Sequence, residues 1–181
     1  MLTTEPQPPS GVLTLVLDLD NLEEREYAAE LLRCIQDQHI MVFHNAKFDM
    51  QKLLRVGLLD RDKITPDKFE NTETLAHLVN NHWRLRLKGL AKELLGMEND
   101  EEQALTAARR KLKHPTENRK LNKDDGYHLL PRELVIPYAA ADAEMTILLY
   151  ACLVGMLPKE LWPFYDFEKE GELAFLDMEA G

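Results

Sequence analysis

Apolar positions along the chain fall into short continuous runs separated by longer stretches of helical spacing. Residues 11–18 (GVLTLVLD) are rich in Leu and β-branched residues, which predicts a strand. Behind it Asn21 stands as a helix cap, with Glu23, Glu24 and Glu26 near the positive end of the helix dipole. Tyr27, Leu31, Cys34 and Ile35 recur at three- and four-residue spacing and predict the apolar face of that helix. Residues 39–43 (HIMVF) are too few for a helix and read as a buried strand. It runs into His44-Asn45 and a helix over 46–56, closed by Gly57. Strand, helix, strand, helix is the alternation of an α/β domain. Further helices are predicted over 71–81, over 87–95 with Gly96 as the stop, and over part of 100–113. The strongest helix is expected to open at Pro137 and run to about residue 156. Pro158 and Pro163 should break it before a final acidic segment to Gly181, and the Pro-rich residues 1–10 predict a flexible lead-in.

Composition narrows the function. The chain has 181 residues, 45% hydrophobic, enough for one domain with a real core. With 22 Lys+Arg against 32 Asp+Glu the net charge is −10, which excludes a uniformly basic DNA-coating protein. Charge is uneven, however. Residues 109–123 carry seven Lys/Arg and one Glu, including Arg109, Arg110 and Lys111, whereas 160–181 carry seven Asp/Glu and one Lys. The basic stretch reads equally as a solvated surface or as a stripe that meets phosphates. Two Cys are too few for a disulfide scaffold, and the N-terminus has no signal-peptide pattern. The most apolar run, 145–157, is shorter than the ~20 residues of a membrane span. A soluble, cytoplasmic protein without a membrane is expected.

Two carboxylates stand where simple patterning would not put them. Tyr138, Asp142, Met145, Leu149, Cys152 and Met156 form one stripe at alternating spacings of four and three, so Asp142 shares an inward face. Tyr138 lies one turn before it on the same face. Asp49 shares a stripe with Leu53 and Val56, and Asn45 stands four residues earlier, at the carboxyl end of the HIMVF strand. That end is where α/β sheets place ligands. Buried carboxylates need a cation, an Arg or backbone donors. Two that converge without an Arg in either helix point to a divalent metal held by hard oxygens. Taken singly, Asn45 reads as a helix cap, Asp49 and Asp142 as surface ion-pair residues, and Tyr138 as core.

Together the residues are far more specific. HNAKFDMQKLL (44–54) resembles the second motif of the DEDD exonuclease superfamily, an Asn followed by an aromatic-Asp pair. YAAADAEMTILLY (138–150) resembles the third motif in its tyrosine form. Between them LRLKGLAKELLG (85–96) is similar to the helix found between those motifs in family A DNA polymerases, and ENTETLAHLV (70–79) to the segment before it. LAFLDMEAG (173–181) resembles the exit from the proofreading domain into the polymerase domain. From about residue 12 to the end, the chain resembles the 3′–5′ exonuclease domain of a family A DNA polymerase, with DGYHLLPREL most like phage-encoded members.

The resemblance implies a ribonuclease H-like fold, a mixed sheet flanked by helices. It divides the chain into a lead-in (1–10), an exonuclease-like domain (11–165) with a basic insertion at about 97–130, and the start of a connection to a polymerase domain (166–181). It also implies a phosphodiesterase using two Mg²⁺ or Mn²⁺ ions on a single-stranded DNA 3′ end. Asp142 and Asp49 would bind the metals, Tyr138 would orient the attacking water, and Asn45 would contact the substrate end. From its charge rather than from the resemblance, the basic stretch with Arg109, Arg110 and Lys111 is the candidate to meet the phosphates. The family's first motif, Asp-x-Glu on the central strand, has no counterpart; the nearest forms are Asp18-x-Asp20 and Thr3-x-Glu5. Asp18 lies too close to Asp49 for the two strands and helix that the family fits between, so GVLTLVLDLDN resembles its third strand instead. A fragment, a domain completed by a neighbouring chain and a degenerate domain all fit. So do three activities: a DNA exonuclease, a non-catalytic module supporting a polymerase or holding DNA, and an RNA-trimming enzyme.

Overall fold

A computed structural model describes residues 14–98, 100–112 and 127–180. The expected lead-in, residues 11–13 of the expected first strand, and residues 99 and 113–126 of the basic insertion lie outside the described residues. The elements are α1 (Leu22–Gln38), β1 (Met41–Phe43), α2 (Ala46–Arg55), β2 (Phe69–Asn71), α3 (Thr72–Val79), α4 (Leu87–Leu95), α5 (Asp100–Arg109), α6 (Arg132–Met156) and α7 (Trp162–Ala180). The result is a helix-rich α/β fold whose described sheet has two parallel strands, Val42 standing opposite Glu70.

Several elements form as their sequences dictate. Asn21 caps α1, its side-chain oxygen accepting from Glu23 N at 3.0 Å and Glu24 N at 3.2 Å. Gly57 and Gly96 close α2 and α4 at φ 73° and 69°, where a Cβ would be strained. Other expectations are corrected. Residues 14–18 are not a strand, because neither β1 nor β2 pairs with them, and Leu15 is exposed. A single extended run without a ladder leaves its backbone to water. The inward side of α1 carries Ala28, Leu32, Ile35 and Gln36, whereas Tyr27 and Cys34 face solvent.

Pro137 does not open α6. That helix starts five residues earlier behind Pro131, and Pro137 sits inside it with no N–H for the carbonyl of Glu133. Pro163 likewise lies in the first turn of α7, where a missing donor costs nothing, rather than ending a helix.

The core has two centres. Leu75 and Ala76 of α3, Leu90 and Ala91 of α4, and Met145, Leu149 and Leu153 of α6 fill one. Met41, Phe69, Ala46 and Met50 fill the other, closed by Leu173 and Leu176 of α7. Each buried Leu, Met or Phe among them contributes roughly 1.5–3 kcal/mol by leaving water, and each Ala less. At 25 residues, with its most apolar stretch at a mean hydropathy of 1.4, α6 has the length and composition of a membrane span. Within the fold it packs against α3, α4 and α5.

A buried polar knot ties β2 to α7. Tyr165 Oη donates to Glu70 Oε2 at 2.7 Å and accepts from Asn71 N at 2.8 Å, while Lys169, 4% exposed, lies 3.7 Å from Glu70 Oε1. Asn71, itself buried, extends the knot. Its Nδ2 donates to Glu172 Oε1 (2.8 Å) and Thr74 Oγ1 (3.0 Å), and its Oδ1 accepts from Asn45 N (3.2 Å) and Glu73 N (3.1 Å). An ionised Asp could make the second pair but not the first, so the amide suits the carboxylate opposite it.

Candidate active site

The turn from β1 into α2 sets the first half of the site. Asn45 adopts the left-handed conformation (φ 64°, ψ 61°), unusual for a residue other than Gly and best tolerated by Asn. It occupies the cap position of α2 without a side-chain capping bond. Before it, His44 bridges two segments: Nδ1 lies 2.8 Å from Thr72 Oγ1, and Nε2 donates to the Leu85 carbonyl at 2.7 Å. Burial lowers the imidazole pKa, opposed by the Leu85 bond. His44 thus pins the extended stretch 84–86 that leads into α4 against the start of α3.

Asp49 of α2 and Asp142 of α6 line one cleft of about 730 Å³. Ile40, Val42 and Phe43 supply its strand side, and Leu87, Thr146 and Ile147 its helix side. Within the described residues β1 pairs only with β2, so its other edge opens onto this space. Burial, and then the charge of Asp142, push Asp49 up to about 6. Burial also raises Asp142, opposed by Lys88 and by a hydrogen bond from Tyr138. Asp142 Oδ1 is buried without a well-aligned hydrogen bond; Lys88 Nζ stands 3.3 Å away as its ionic neighbour. Among the described residues no third His, Cys, Asp or Glu joins the pair.

The stripes that singled out these carboxylates are only partly inward. On α6 the buried row continues from Met145 through Leu149 to Leu153, while Met156 is exposed. On α2 Ala46 and Met50 are the buried positions, and Val56 is exposed. Each Asp therefore borders the buried row of its helix, facing a cleft rather than the core.

Asp142 also lines a second cleft, of about 470 Å³, with Tyr138, Arg84, Arg86, Lys88 and Lys92. Lys88 Nζ sits 3.5 Å from the centre of the Tyr138 ring. Tyr127 lies on from Tyr138, ring centres 6.2 Å apart, and Arg109 stacks over Tyr127 at 5.4 Å while donating to its hydroxyl at 3.3 Å. A cation, two aromatic rings and a second cation thus run in sequence from the carboxylates to the end of α5. Burial and the nearby Asp142 raise the Tyr138 pKa, so the phenol keeps its proton across the physiological range.

The structure thus brings Asp49, Asp142 and Tyr138 together and links Arg109 to them. Asn45 instead lines a third cleft with Lys47, Asn71, His77 and Glu172. Arg110 and Lys111 are exposed just past α5 and line none of these clefts. Sequence reasoning missed Lys88 and the Arg84–Arg86 pair. Their signal is the alternation R-L-R, in which Leu85 accepts from His44 and the flanking guanidinium groups are exposed.

The family model described as 3′-5′ exonuclease matches residues 12–158, which include all of these groups except the C-terminal helix. The chain belongs to this family, the exonuclease domain of family A DNA polymerases. Its substrate class is accordingly nucleic acid. No curated protein and no solved structure matches the chain.

Proposed function

We propose that the protein is a metal-dependent 3′–5′ exonuclease that hydrolyses phosphodiester bonds at DNA 3′ ends, the proofreading domain of a DNA polymerase on a ribonuclease H-like fold. The observation that carries this is the convergence of Asp49 and Asp142 on one cleft, where burial, joined at Asp49 by the charge of Asp142 and at Asp142 by that of Glu102, holds both carboxyls above their ordinary value. Such a pair is stabilised by added positive charge. Two hard oxygen donors suit Mg²⁺ or Mn²⁺, and Asp49 and Asp142 would hold the cation. When bound there, a divalent ion polarises the phosphate and lowers the pKa of a water.

The chain's own residues do the rest. Tyr138, kept protonated, orients water through its hydroxyl rather than acting as a base. Lys88 places an ammonium beside Asp142, and Arg84 and Arg86 continue the positive charge along the adjoining cleft, where phosphates would lie. Residues 166–181 would lead on toward the polymerase domain. The donor set suits the ion in kind but falls short in number, since two carboxylates give −2 where a metal pair carries +4. A strand laid along the open edge of β1 and carrying Asp-x-Glu would bring the remaining donors to this cleft.

A second reading rests on Lys88. Its ion pair with Asp142 already supplies a cation, which would let the domain hold single-stranded DNA without cleaving it. Mn²⁺ binding by the chain, followed by paramagnetic resonance, separates the two. The nuclease reading expects one weak ion, with affinity on the order of 1 mM, lost in Asp142→Ala and strengthened in Lys88→Met. Binding indifferent to both changes would favour the non-catalytic reading.

The phosphate path has its own test. Changing Arg84 and Arg86 to Gln should reduce the salt dependence of single-strand affinity by about 0.7 in log–log slope for each phosphate no longer neutralised. The same should follow for Arg109, Arg110 and Lys111 if they meet phosphates. An unchanged slope would return either group to the solvated surface.

A further inference from the structure

α7 carries two apolar rows. Tyr165, Leu173 and Leu176 are buried against the fold. On the other side Phe164, Phe167, Gly171, Phe175 and Met178 follow one another at spacings of three, four, four and three, within an arc of about 80°. The four side chains of this second row are 61%, 70%, 59% and 75% exposed. A Phe presents ~150–250 Å², so the three rings alone leave on the order of 400 Å² of apolar surface in one line, the size that marks a recognition patch. Gly171 makes a notch at its centre, because a Cβ built there would meet nothing within 4 Å.

Charge around the row identifies what it can receive. Glu168 borders it on one side and Glu170 on the other, both exposed. Lys169, the one basic residue of α7, is buried on the opposite side and held by Glu70 and Asp166. Of the cations on other elements, Lys47 lies 5.9 Å from the Phe175 ring centre, at one end of the row, and Arg61 is taken up by Asp177 through two hydrogen bonds. A second copy of α7 laid against the row would set acidic borders against acidic borders, and nucleic acid or an anionic bilayer would meet the same repulsion. We propose that this face docks an amphipathic helix of another polypeptide, whose apolar row fills the notch at Gly171 and whose Lys or Arg borders pair with the acidic rims. This surface lies opposite the side of α7 that packs on the fold; its Phe175 end borders the Asn45 cleft, and the proposal does not rest on the nuclease reading.

The test uses two labelled peptides of about 18 residues, each with Leu in one helical row, one bordered by Lys and its twin by Glu, titrated with the full chain. Binding of the Lys peptide should be at least about tenfold tighter than that of its twin. Gly171→Glu should weaken it by about tenfold or more without lowering the melting temperature, since Glu is the better helix former and the space is open. Gly171→Ala should leave it within about twofold. Equal affinity for the two peptides, no binding, or binding that survives Gly171→Glu would overturn the proposal. So would a dimer of the chain that Gly171→Glu converts to monomer, which would assign the face to a second copy.

Discussion

Replacing Asp142 by Ala should abolish cleavage in a form of the domain supplied with an Asp-x-Glu strand, whereas Tyr138→Phe should leave slower but measurable cleavage. The two side chains are one turn apart on α6 and touch the same cleft, yet their roles differ. Asp142 would be a cation ligand, and losing it removes several kcal/mol of transition-state stabilisation, about a thousandfold or more in rate. Tyr138 would act through its hydroxyl on the orientation of water, a contribution of roughly a hundredfold, the low end of proton-transfer effects. Its ring remains in Phe, so the stacking on Tyr127 and under Lys88 is kept. Equal and complete loss in both variants, in single-turnover digestion of a 5′-labelled strand, would show that Tyr138 is a full partner in the chemistry.

Asp49→Asn should make the metal-free protein more stable at pH 8 and leave it unchanged near pH 3. The folded pKa of Asp49, about 6, lies above its ordinary 3.8, so folding favours the protonated form. That contribution is whole below the unfolded value and is lost as pH rises through the folded one. Discounted for the part of the group that water still reaches, the cost at pH 8 is roughly 1–2 kcal/mol, or about 2–8 °C in melting temperature for a chain of this size. Mn²⁺ should raise the melting temperature of the parent and not that of the variant. A variant that melts lower than the parent at pH 8 would mean that the fold itself satisfies the Asp49 charge.

The chemistry of the site was more legible than its frame. Asp49, Asp142 and Tyr138 stood out because a carboxylate beside an apolar helical row is rare enough to demand a reason, and the motif spacing supplied one. β2 escaped notice because three residues, Phe-Glu-Asn, carry no periodicity and lie directly before a helix. Its two polar members are buried only because Tyr165, Lys169 and Glu172, almost a hundred residues on, satisfy them. The run 14–18 has the composition of a strand, but composition cannot provide the neighbour that a ladder requires. Lys88 and the Arg84–Arg86 pair were invisible for a related reason. A basic residue in a helix or loop reads as solvent-facing until the fold sets Tyr138 and Asp142 across from it.

The Gly residues were read more easily, since a stop at φ near 70° is a local demand that Gly57 and Gly96 meet without help from the rest of the chain. Pro137 misleads because a Pro marks the start of a helix only when nothing upstream continues it, and here Arg132–Ile136 already turn on the face of the same helix.

Digestion of a 5′-labelled single strand with Mn²⁺ decides whether the Asp49–Asp142 cleft is the site of 3′–5′ cleavage. The chain as it stands should give no ladder, because two carboxylates hold at most one ion weakly. The same chain extended by a strand carrying Asp-x-Glu that can lie along β1 should shorten the DNA from its 3′ end, and Asp142→Ala in that extended form should stop it. A ladder that persists in the Asp142→Ala form, or none at all from an extended chain shown to bind Mn²⁺ through Asp49 and Asp142, would mean that cleavage does not take place in this cleft.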